Sequence, residues 1–152
     1  MERRWSWRAA RTPLWLVAIG VVVAASVSGC GAAGGAGGAA GTVVGVTERD
    51  FHVATSLARV SAGELTLRIH NSGPDEHELI VAPWRSAGLP LRADGLTVSE
   101  EAIQSSEPGS IVPQQPGGTE FLTVHLKPGR YVLFCNMEGH YMAGMHTVLT
   151  VS

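Results

Sequence analysis

Basic residues are few in this 152-residue chain, which has 11 Lys and Arg against 13 Asp and Glu. Four of the arginines lie within the first 11 residues. From residue 30 onward the chain keeps seven basic and twelve acidic residues, a net charge of −5 with histidines neutral. This balance argues against nucleic acid as a partner. The acidic excess has two possible interpretations: it keeps the protein soluble, or it steers the protein toward a basic partner.

The chain also has no hydrophobic run long enough to span a membrane as a helix. Its apolar stretch from Leu14 to Val27 has 14 residues, whereas a spanning helix needs ~20. Arginines precede the stretch, and Val27-Ser28-Gly29-Cys30 closes it in a pattern that resembles a bacterial lipobox. We interpret residues 1–29 as a lipoprotein signal peptide and Cys30 as the lipidated residue of a protein anchored to the outer face of the cell membrane. The alternative is an uncleaved anchor extended by the neighbouring alanines and glycines.

Cysteine is almost absent, with Cys30 and Cys135 as the two examples. If Cys30 carries lipid, Cys135 has no disulfide partner in the chain. An unpaired thiol is unusual in a protein outside the cell, where thiols are oxidised. Metal ligation would explain its presence and would also protect it from oxidation.

Residues 31–41 contain glycine and alanine alone, so residues 30–41 are predicted to be a lipidated cysteine and a flexible linker. An unstructured linker of this length reaches ~20 Å. The remaining residues, 42–152, have the size of one compact domain.

That domain is predicted to be all-β. Leu65, Leu67 and Ile69 alternate with polar residues, which is the period of a strand with one buried face. Short strands separated by turn signals predict a Greek-key β-sandwich. The predicted strands are Val43 to Thr47, Phe51 to Thr55, Leu65 to Ile69, His77 to Ala82, Leu122 to Leu126, Arg130 to Cys135 and His146 to Val151.

The middle of the domain, residues 83–115, has no clear strand pattern. Thr97-Val98-Ser99-Glu100 fits a capping box and predicts a short helix through Gln104. We interpret the segment as a surface excursion between the sheets, with a partner-binding element as the alternative.

The candidate functional residues are Cys135, His140 and Met145, spaced C-x4-H-x4-M, together with His77 at the start of another predicted strand. A thiolate, two imidazoles and a weak axial thioether are the ligands of a mononuclear copper centre that transfers electrons. We therefore predict one type 1 copper site, with His77, Cys135 and His140 equatorial and Met145 axial.

Other histidines and methionines compete with these four. His52, His70 and His125 fall mostly at polar positions of predicted strands, and His146 directly follows Met145, so its side chain is expected to leave on the opposite side. Met142 is too close to His140 to be the axial ligand, and we expect Met142 and Met137 to line an apolar rim around His140. A metal-free structural role for the ligand-like residues is the remaining alternative.

The segments that carry these residues resemble those of the blue copper proteins, or cupredoxins. Residues 131–145, YVLFCNMEGHYMAGM, resemble the ligand loop of the rusticyanin and sulfocyanin-like branch, and residues 71–81, NSGPDEHELIV, resemble the segment carrying the first histidine ligand. The resemblance spans residue 42 to the end. It departs at Glu78, where many cupredoxins have Asn or Ser. An ionised carboxylate near the thiolate would favour Cu(II) and lower the reduction potential.

The resemblance and the ligands imply a membrane-tethered type 1 copper protein that transfers single electrons on the extracytoplasmic face and is not an enzyme. The expected partners are redox proteins, such as a cytochrome or a terminal oxidase, and the expected state is a monomer. Two alternatives stay open: a lipoprotein that scavenges or delivers copper, and a metal-free interaction domain.

Overall fold

The computed structural model describes residues 41–152, and the predicted signal peptide, Cys30 and the linker up to Ala40 lie outside them. The described strands are β1 (Thr42–Arg49), β2 (His52–Thr55), β3 (Arg59–Val60), β4 (Gly63–Asn71), β5 (His77–Pro83), β6 (Gly109–Gln114), β7 (Thr119–Leu126), β8 (Gly129–Phe134) and β9 (His146–Val151). A single α-helical turn, α1 (Glu100–Ile103), continues into a 3-10 turn at Gln104–Ser106. None of the helices in this part of the chain is long and apolar enough to cross a membrane.

The strands form two sheets, with the order β2-β1-β4-β7 in one and β3-β9-β8-β5-β6 in the other. Most neighbouring strands are antiparallel, but β1 pairs with β4 and β3 pairs with β9 in parallel. The chain passes repeatedly from one sheet to the other, as a sandwich of this kind requires. The all-β sandwich predicted from the sequence is therefore confirmed.

The main core lies between the sheets and contains the inward faces predicted from the period of two. Leu65, Leu67 and Ile69 of β4 are fully buried, whereas Arg68 between them is exposed. They pack with residues of the opposite sheet, including Leu133 and Leu149. Cys135 shares the face of Leu133 and belongs to the same core, as the sequence indicated. The core thus extends to the end of the sandwich where the candidate ligands lie.

The predicted excursion with a short helix is present within residues 83–115, but two parts of the segment are not surface loop. Gly109–Gln114 form β6, which pairs with β5. The segment also carries Val98 and Ile103 into a second core on the outer face of the larger sheet, where they pack with Phe134. A short apolar run with a proline has too little periodicity to be recognised as a strand. The segment is a structural cover for this sheet.

The predicted short helix is present in this segment, but it begins later than the capping box indicated, and its α-helical part ends one residue before Gln104. Its N-cap is Ser99, which makes no side-chain cap hydrogen bond, and the helix ends at Ile103. The capping box starting at Thr97 is therefore wrong. Ser99 instead donates from its hydroxyl to Glu101 at 3.1 Å.

Candidate metal centre

The strand order places the candidate ligands at one end of the larger sheet. His77 is the first residue of β5, Cys135 directly follows β8, and Met145 directly precedes β9. Because β8 is antiparallel to both β5 and β9 and lies between them, the start of β5, the end of β8 and the start of β9 meet at one edge. His140 lies in the loop from β8 to β9.

Three ligand atoms converge there. The sulfur of Cys135 lies 3.4 Å from Nδ1 of His140 and 4.0 Å from Nδ1 of His77. All three ligand atoms lie within 4.8 Å of one another, and they form the one such group of three found among residues 41–152. Two ligands bound to one first-row metal ion at ~2.0–2.3 Å and tetrahedral angles would lie ~3.3–3.7 Å apart. The cluster therefore has the dimensions of a single-ion site.

Met145 is held next to Cys135 by a backbone hydrogen bond and by packing in the same core. Its carbonyl accepts a hydrogen bond from the backbone N–H of Cys135 at 3.1 Å, which extends the β8–β9 ladder by one pair. Its side chain is fully buried in the core that also contains Cys135. Together, His77, Cys135, His140 and Met145 fit one type 1 copper site in ligand chemistry and arrangement.

The ligand loop is a series of tight turns. The N–H of Met145 donates to the carbonyl of His140 at 3.0 Å, and the N–H of His140 donates to the carbonyl of Met137 at 2.9 Å. Gly139 and Gly144 adopt positive φ angles of 80° and 100°, which glycine accommodates without steric cost. These turns present the His140 ring at the end of the sandwich while the backbone stays compact.

Cys135 is enclosed in a way that affects its protonation. Its side chain is 0% exposed, and burial raises the pKa of the thiol to about 11, although backbone N–H groups of Glu78 and Met137 oppose the rise. The metal-free protein therefore holds a protonated thiol at neutral pH. Binding a metal ion must displace this proton, because the thiolate is the ligand.

His77 is also fully buried, and its two ring nitrogens face different partners. Nδ1 faces Cys135, whereas Nε2 lies 3.1 Å from Oδ1 of Asp50. Burial and the neighbouring His140 lower the pKa of His77, while Asp50 acts in the opposite sense. Nδ1 is thus the nitrogen free to bind a metal ion.

Glu78 lies next to the site, but its charge is disfavoured. Burial, followed by repulsion from Glu100, raises the pKa of this carboxyl. Its backbone N–H is the group that approaches the sulfur of Cys135. The expectation of a fully ionised carboxylate beside the thiolate is therefore weakened, since both effects favour its neutral form.

The competing residues lie apart from the convergent group. His52, His125 and His146 are exposed, and His70 bonds to the carbonyl of Gly118 and the hydroxyl of Thr119. The ring of His146 packs against that of Tyr141, with 5.1 Å between the ring centroids.

The expected apolar rim is only partly present. Met137 and His140 line the same open concavity, together with Pro74 and Pro116. Met142 is 54% exposed.

Sequence reasoning missed Asn136, which ties the ligand loop to the middle segment. Its Oδ1 accepts from the backbone N–H of Val98 at 2.6 Å, and its Nδ2 donates to the carbonyl of Val98 and to Glu100 at 3.1 and 2.8 Å. A second tie is the N–H of Gly139, which donates to the carbonyl of Leu96. No sequence signal marked these long-range contacts, because Asn136 lies within a loop and its partner is 38 residues away.

Two residues of the turn between β1 and β2 were also missed. Asp50 bonds to His77, and the ring of Phe51 meets the ring of His140 edge to face, with 5.5 Å between the centroids. Phe51 was predicted to begin a strand, but the strand begins at His52.

Known structures show the same architecture. An auracyanin from Roseiflexus castenholzii is 21% identical, with a TM-score of 0.56, and the match covers 73% of this chain and 97% of that one. Auracyanin A from Chloroflexus aurantiacus, described as a "blue" copper protein, is 19% identical, with a TM-score of 0.55 and coverage of 73% and 98%. Rusticyanin from Thiobacillus ferrooxidans is 14% identical, with a TM-score of 0.55 and coverage of 74% and 79%.

No family model matches the chain, and no curated protein matches it by sequence. The assignment to the rusticyanin and sulfocyanin-like branch therefore stays a prediction, since auracyanins and rusticyanin match alike in shape. Auracyanin and rusticyanin are both cupredoxins. Residues 41–152 therefore have the cupredoxin fold, with a type 1 ligand arrangement at one end of the sandwich.

Proposed function

We propose that the protein is a membrane-tethered one-electron carrier that holds a single type 1 copper ion. His77, Cys135 and His140 would be the equatorial ligands and Met145 the axial one. The observation that carries this proposal is the convergence of one thiol and two Nδ1 atoms within 4.8 Å. When bound, copper supplies a one-electron change between Cu(I) and Cu(II), and a mixed imidazole, thiolate and thioether set accepts both states.

Burial of the ligands favours electron transfer over catalysis. His77, Cys135 and Met145 are fully buried, and His140 is half-buried. Side chains that surround the site in this way keep out water and leave little room for a substrate to bind as a further ligand. A site without an open position suits a carrier, because catalytic metal sites retain one. We therefore infer that the protein is not an enzyme on its own.

The surface near His140 supports a protein partner. His140 and Met137 line an open concavity that also carries the carboxylates of Asp75 and Glu76. An electron can leave through the His140 ring, the most exposed of the four ligands. Acidic residues beside this exit favour a basic redox protein, such as a cytochrome or an oxidase domain, and this agrees with the net charge of −5 from residue 30 onward.

The site's location on the outer face of the membrane is supported by the sequence pattern. The basic start, the short apolar stretch and the Val27-Ser28-Gly29-Cys30 pattern are those of a lipoprotein signal. The glycine and alanine linker would let the domain reach partners just above the membrane. A monomer is sufficient for this role, because all four ligands come from one chain.

The proposed electron transfer is tested by mixing the reduced copper-loaded protein with a basic cytochrome in a stopped-flow instrument. We expect fast oxidation that slows as ionic strength rises, because screening weakens the steering of an acidic protein toward a basic one. The copper should stay bound in the presence of a Cu(I) chelator over the same time. Release of copper to the chelator without electron transfer would instead support copper delivery.

The tether is tested by replacing Cys30 with alanine in the source organism or a bacterial host. We expect the variant to lose incorporation of labelled fatty acid and to remain unprocessed at this position. The parent treated with globomycin should also remain unprocessed. Cys135→Ala is the matched control and should be labelled normally. A Cys30→Ala protein that is processed and labelled like the parent would refute the lipid anchor.

A further inference from the structure

The turn between β1 and β2 contacts both imidazole ligands through two consecutive residues. Asp50 lies 3.1 Å from Nε2 of His77, and the ring of Phe51 lies edge-on to the ring of His140. The turn joins two antiparallel strands in which Arg49 pairs with His52, so Asp50 and Phe51 form its tip. This tip belongs to the smaller sheet, whereas the ligands follow from the strands of the larger one.

The backbone of Phe51 is in an unfavourable conformation. Its φ angle is 61°, and it is the one residue other than glycine with a positive φ in the described range. Glycine or asparagine is the usual choice at such a turn position, and a bulky residue there is strained. The Phe51 ring is also 52% exposed, so burial in the core does not explain its presence. Strained residues of this kind cluster at functional sites.

The Asp50 to His77 contact is enclosed by a third residue. A Cβ atom placed on Gly73 would lie 2.8 Å from Oδ1 of Asp50 and 2.9 Å from Nε2 of His77. Both distances are shorter than van der Waals contact, so only glycine at position 73 leaves room for this hydrogen bond. The backbone N–H of Gly73 donates to Oδ1 of the buried Asn71, which fixes the loop at that point.

We propose that Asp50 and Phe51 form a two-residue bracket that positions both histidine ligands, a role that rests on the proposed copper site. Asp50 accepts the Nε2–H of His77, which leaves Nδ1 unprotonated and aimed at the metal position. Phe51 restrains the His140 ring by packing against its side. Second partners of this kind commonly set ligand orientation and metal affinity.

The bracket also influences the redox equilibrium. The Asp50 carboxylate is a negative charge that contacts a ligand directly, so it stabilises the oxidised and more positive state of the site. The reduction potential of the parent should therefore be lower than that of a variant with a neutral acceptor at position 50. Because Asn retains a side-chain oxygen, Asp50→Asn separates the charge from the hydrogen bond.

The first test reads the tautomer of His77 by nitrogen-15 NMR in the metal-free protein. We expect the proton on Nε2 in the parent and in Asp50→Asn, and loss of this fixed tautomer in Asp50→Ala and in Gly73→Ala. The Gly73 variant matters because it disturbs the hydrogen bond without changing any charge. This measurement tests the role of Asp50 in the metal-free protein, so its result does not depend on copper binding. If the protein takes up no copper, the proposed function is refuted separately.

The second test compares the copper-loaded variants. Asp50→Asn should raise the reduction potential more than Asp75→Asn, the control that removes a nearby carboxylate with no hydrogen bond to His77. Phe51→Gly should lose copper to a chelator about ten-fold faster or more, whereas Phe121→Ala, which removes an exposed ring on β7, should match the parent. The thermal stability of metal-free Phe51→Gly should be equal or higher, because glycine relieves the backbone.

Either of two outcomes would refute the proposal that Asp50 and Phe51 position the histidine ligands. One is an equal shift of potential in the Asp50→Asn and Asp75→Asn variants together with an unchanged His77 tautomer in Asp50→Ala. The other is a Phe51→Gly variant that holds copper like the parent, or that loses thermal stability in the metal-free form in step with copper, since Phe51 would then be an ordinary structural residue.

Discussion

At the scale of single residues, the candidate site depends on differences in burial between chemically similar side chains. Met145 is fully buried beside Cys135, whereas Met142 is more than half exposed. The spacing in the sequence favoured Met145 as the axial ligand, and the structure gives the two methionines clearly different surroundings. This difference makes the axial assignment testable by one pair of matched substitutions.

We expect Met145→Leu to keep the visible colour and to raise the reduction potential. An axial thioether donates weakly to copper and stabilises Cu(II) slightly, so its removal favours Cu(I) without breaking the equatorial set. Met142→Leu should shift the potential little, because that side chain lies mainly in solvent. Protein-film voltammetry on both variants and the parent checks this. A shift in Met142→Leu without one in Met145→Leu would mean that the axial ligand is misassigned.

A second residue of interest is Glu48, whose carboxyl is fully buried on β1. Neither of its oxygens has a hydrogen-bond partner within the protein. Burial, followed by repulsion from Glu78, raises the pKa of Glu48 from the ordinary 4.5 to about 8. A carboxyl with a raised pKa binds its proton more tightly in the folded state, so its contribution to stability is complete below about pH 4.5 and is lost as the pH rises to about 8.

We therefore expect the unfolding free energy of the metal-free protein to decrease from pH 5 to pH 8, by up to about 1.4 kcal/mol per pH unit from this group. Glu48→Gln, which keeps the shape but cannot ionise, should flatten this dependence. Glu64→Gln, a change of an exposed carboxylate on β4, should leave it as in the parent. Urea unfolding at several pH values measures all three. Identical pH profiles for the parent and Glu48→Gln would show that Glu48 does not ionise in this range.

At the scale of secondary structure, the sequence predicted seven of the nine described strands and missed β3 and β6. β4, β7 and β9 have clear inward and outward residues, and β9 was predicted with the bounds it has. β6 was missed because a proline interrupts it and its sequence, GSIVPQ, places two apolar residues side by side instead of alternating them with polar ones. β3 has two residues, which is too short for any periodic signal.

The candidate ligands were predictable for a different reason, which is their residue type. Thiol, imidazole and thioether groups at this spacing indicate a copper site, and they can be recognised from the sequence alone. The residues that hold them were not predictable, because Asp50, Gly73 and Asn136 act through contacts between distant segments. Ligand identity is local information, whereas ligand positioning depends on the fold.

The middle segment, residues 83–115, provides one of these distant contacts through Asn136. We expect Asn136→Ala to lower the unfolding free energy by about 1–3 kcal/mol, because it leaves the buried backbone groups of Val98 without partners. The variant should also lose copper to a chelator faster, since Asn136 directly follows Cys135. Glu101→Gln, which weakens an exposed ion pair with Arg92 in the same segment, is the control and should leave the unfolding free energy close to that of the parent.

Chemical unfolding and chelator competition on the two variants check this expectation. If Asn136→Ala and Glu101→Gln behave alike, the segment covers the sheet without bracing the ligand loop.

At the scale of the whole molecule, the sandwich places four ligand-like residues at one end of its two sheets. Two hydrophobic cores stabilise this arrangement. One lies between the sheets, and the other lies beneath the middle segment. The hydrophobic interior excludes water from Cys135 and raises the pKa of its thiol. We therefore propose that the site is rigid and dry and exchanges one electron with little rearrangement.

The most direct test of that claim is a titration of the metal-free protein with copper, followed by visible absorption spectroscopy. We expect one copper ion per chain and an intense charge-transfer band in the oxidised form, which comes from the bond between copper and the Cys135 thiolate. Cys135→Ser should fold but lack the band and most of the copper affinity. A colourless copper complex of the parent, or an equally coloured Cys135→Ser protein, would contradict the type 1 site.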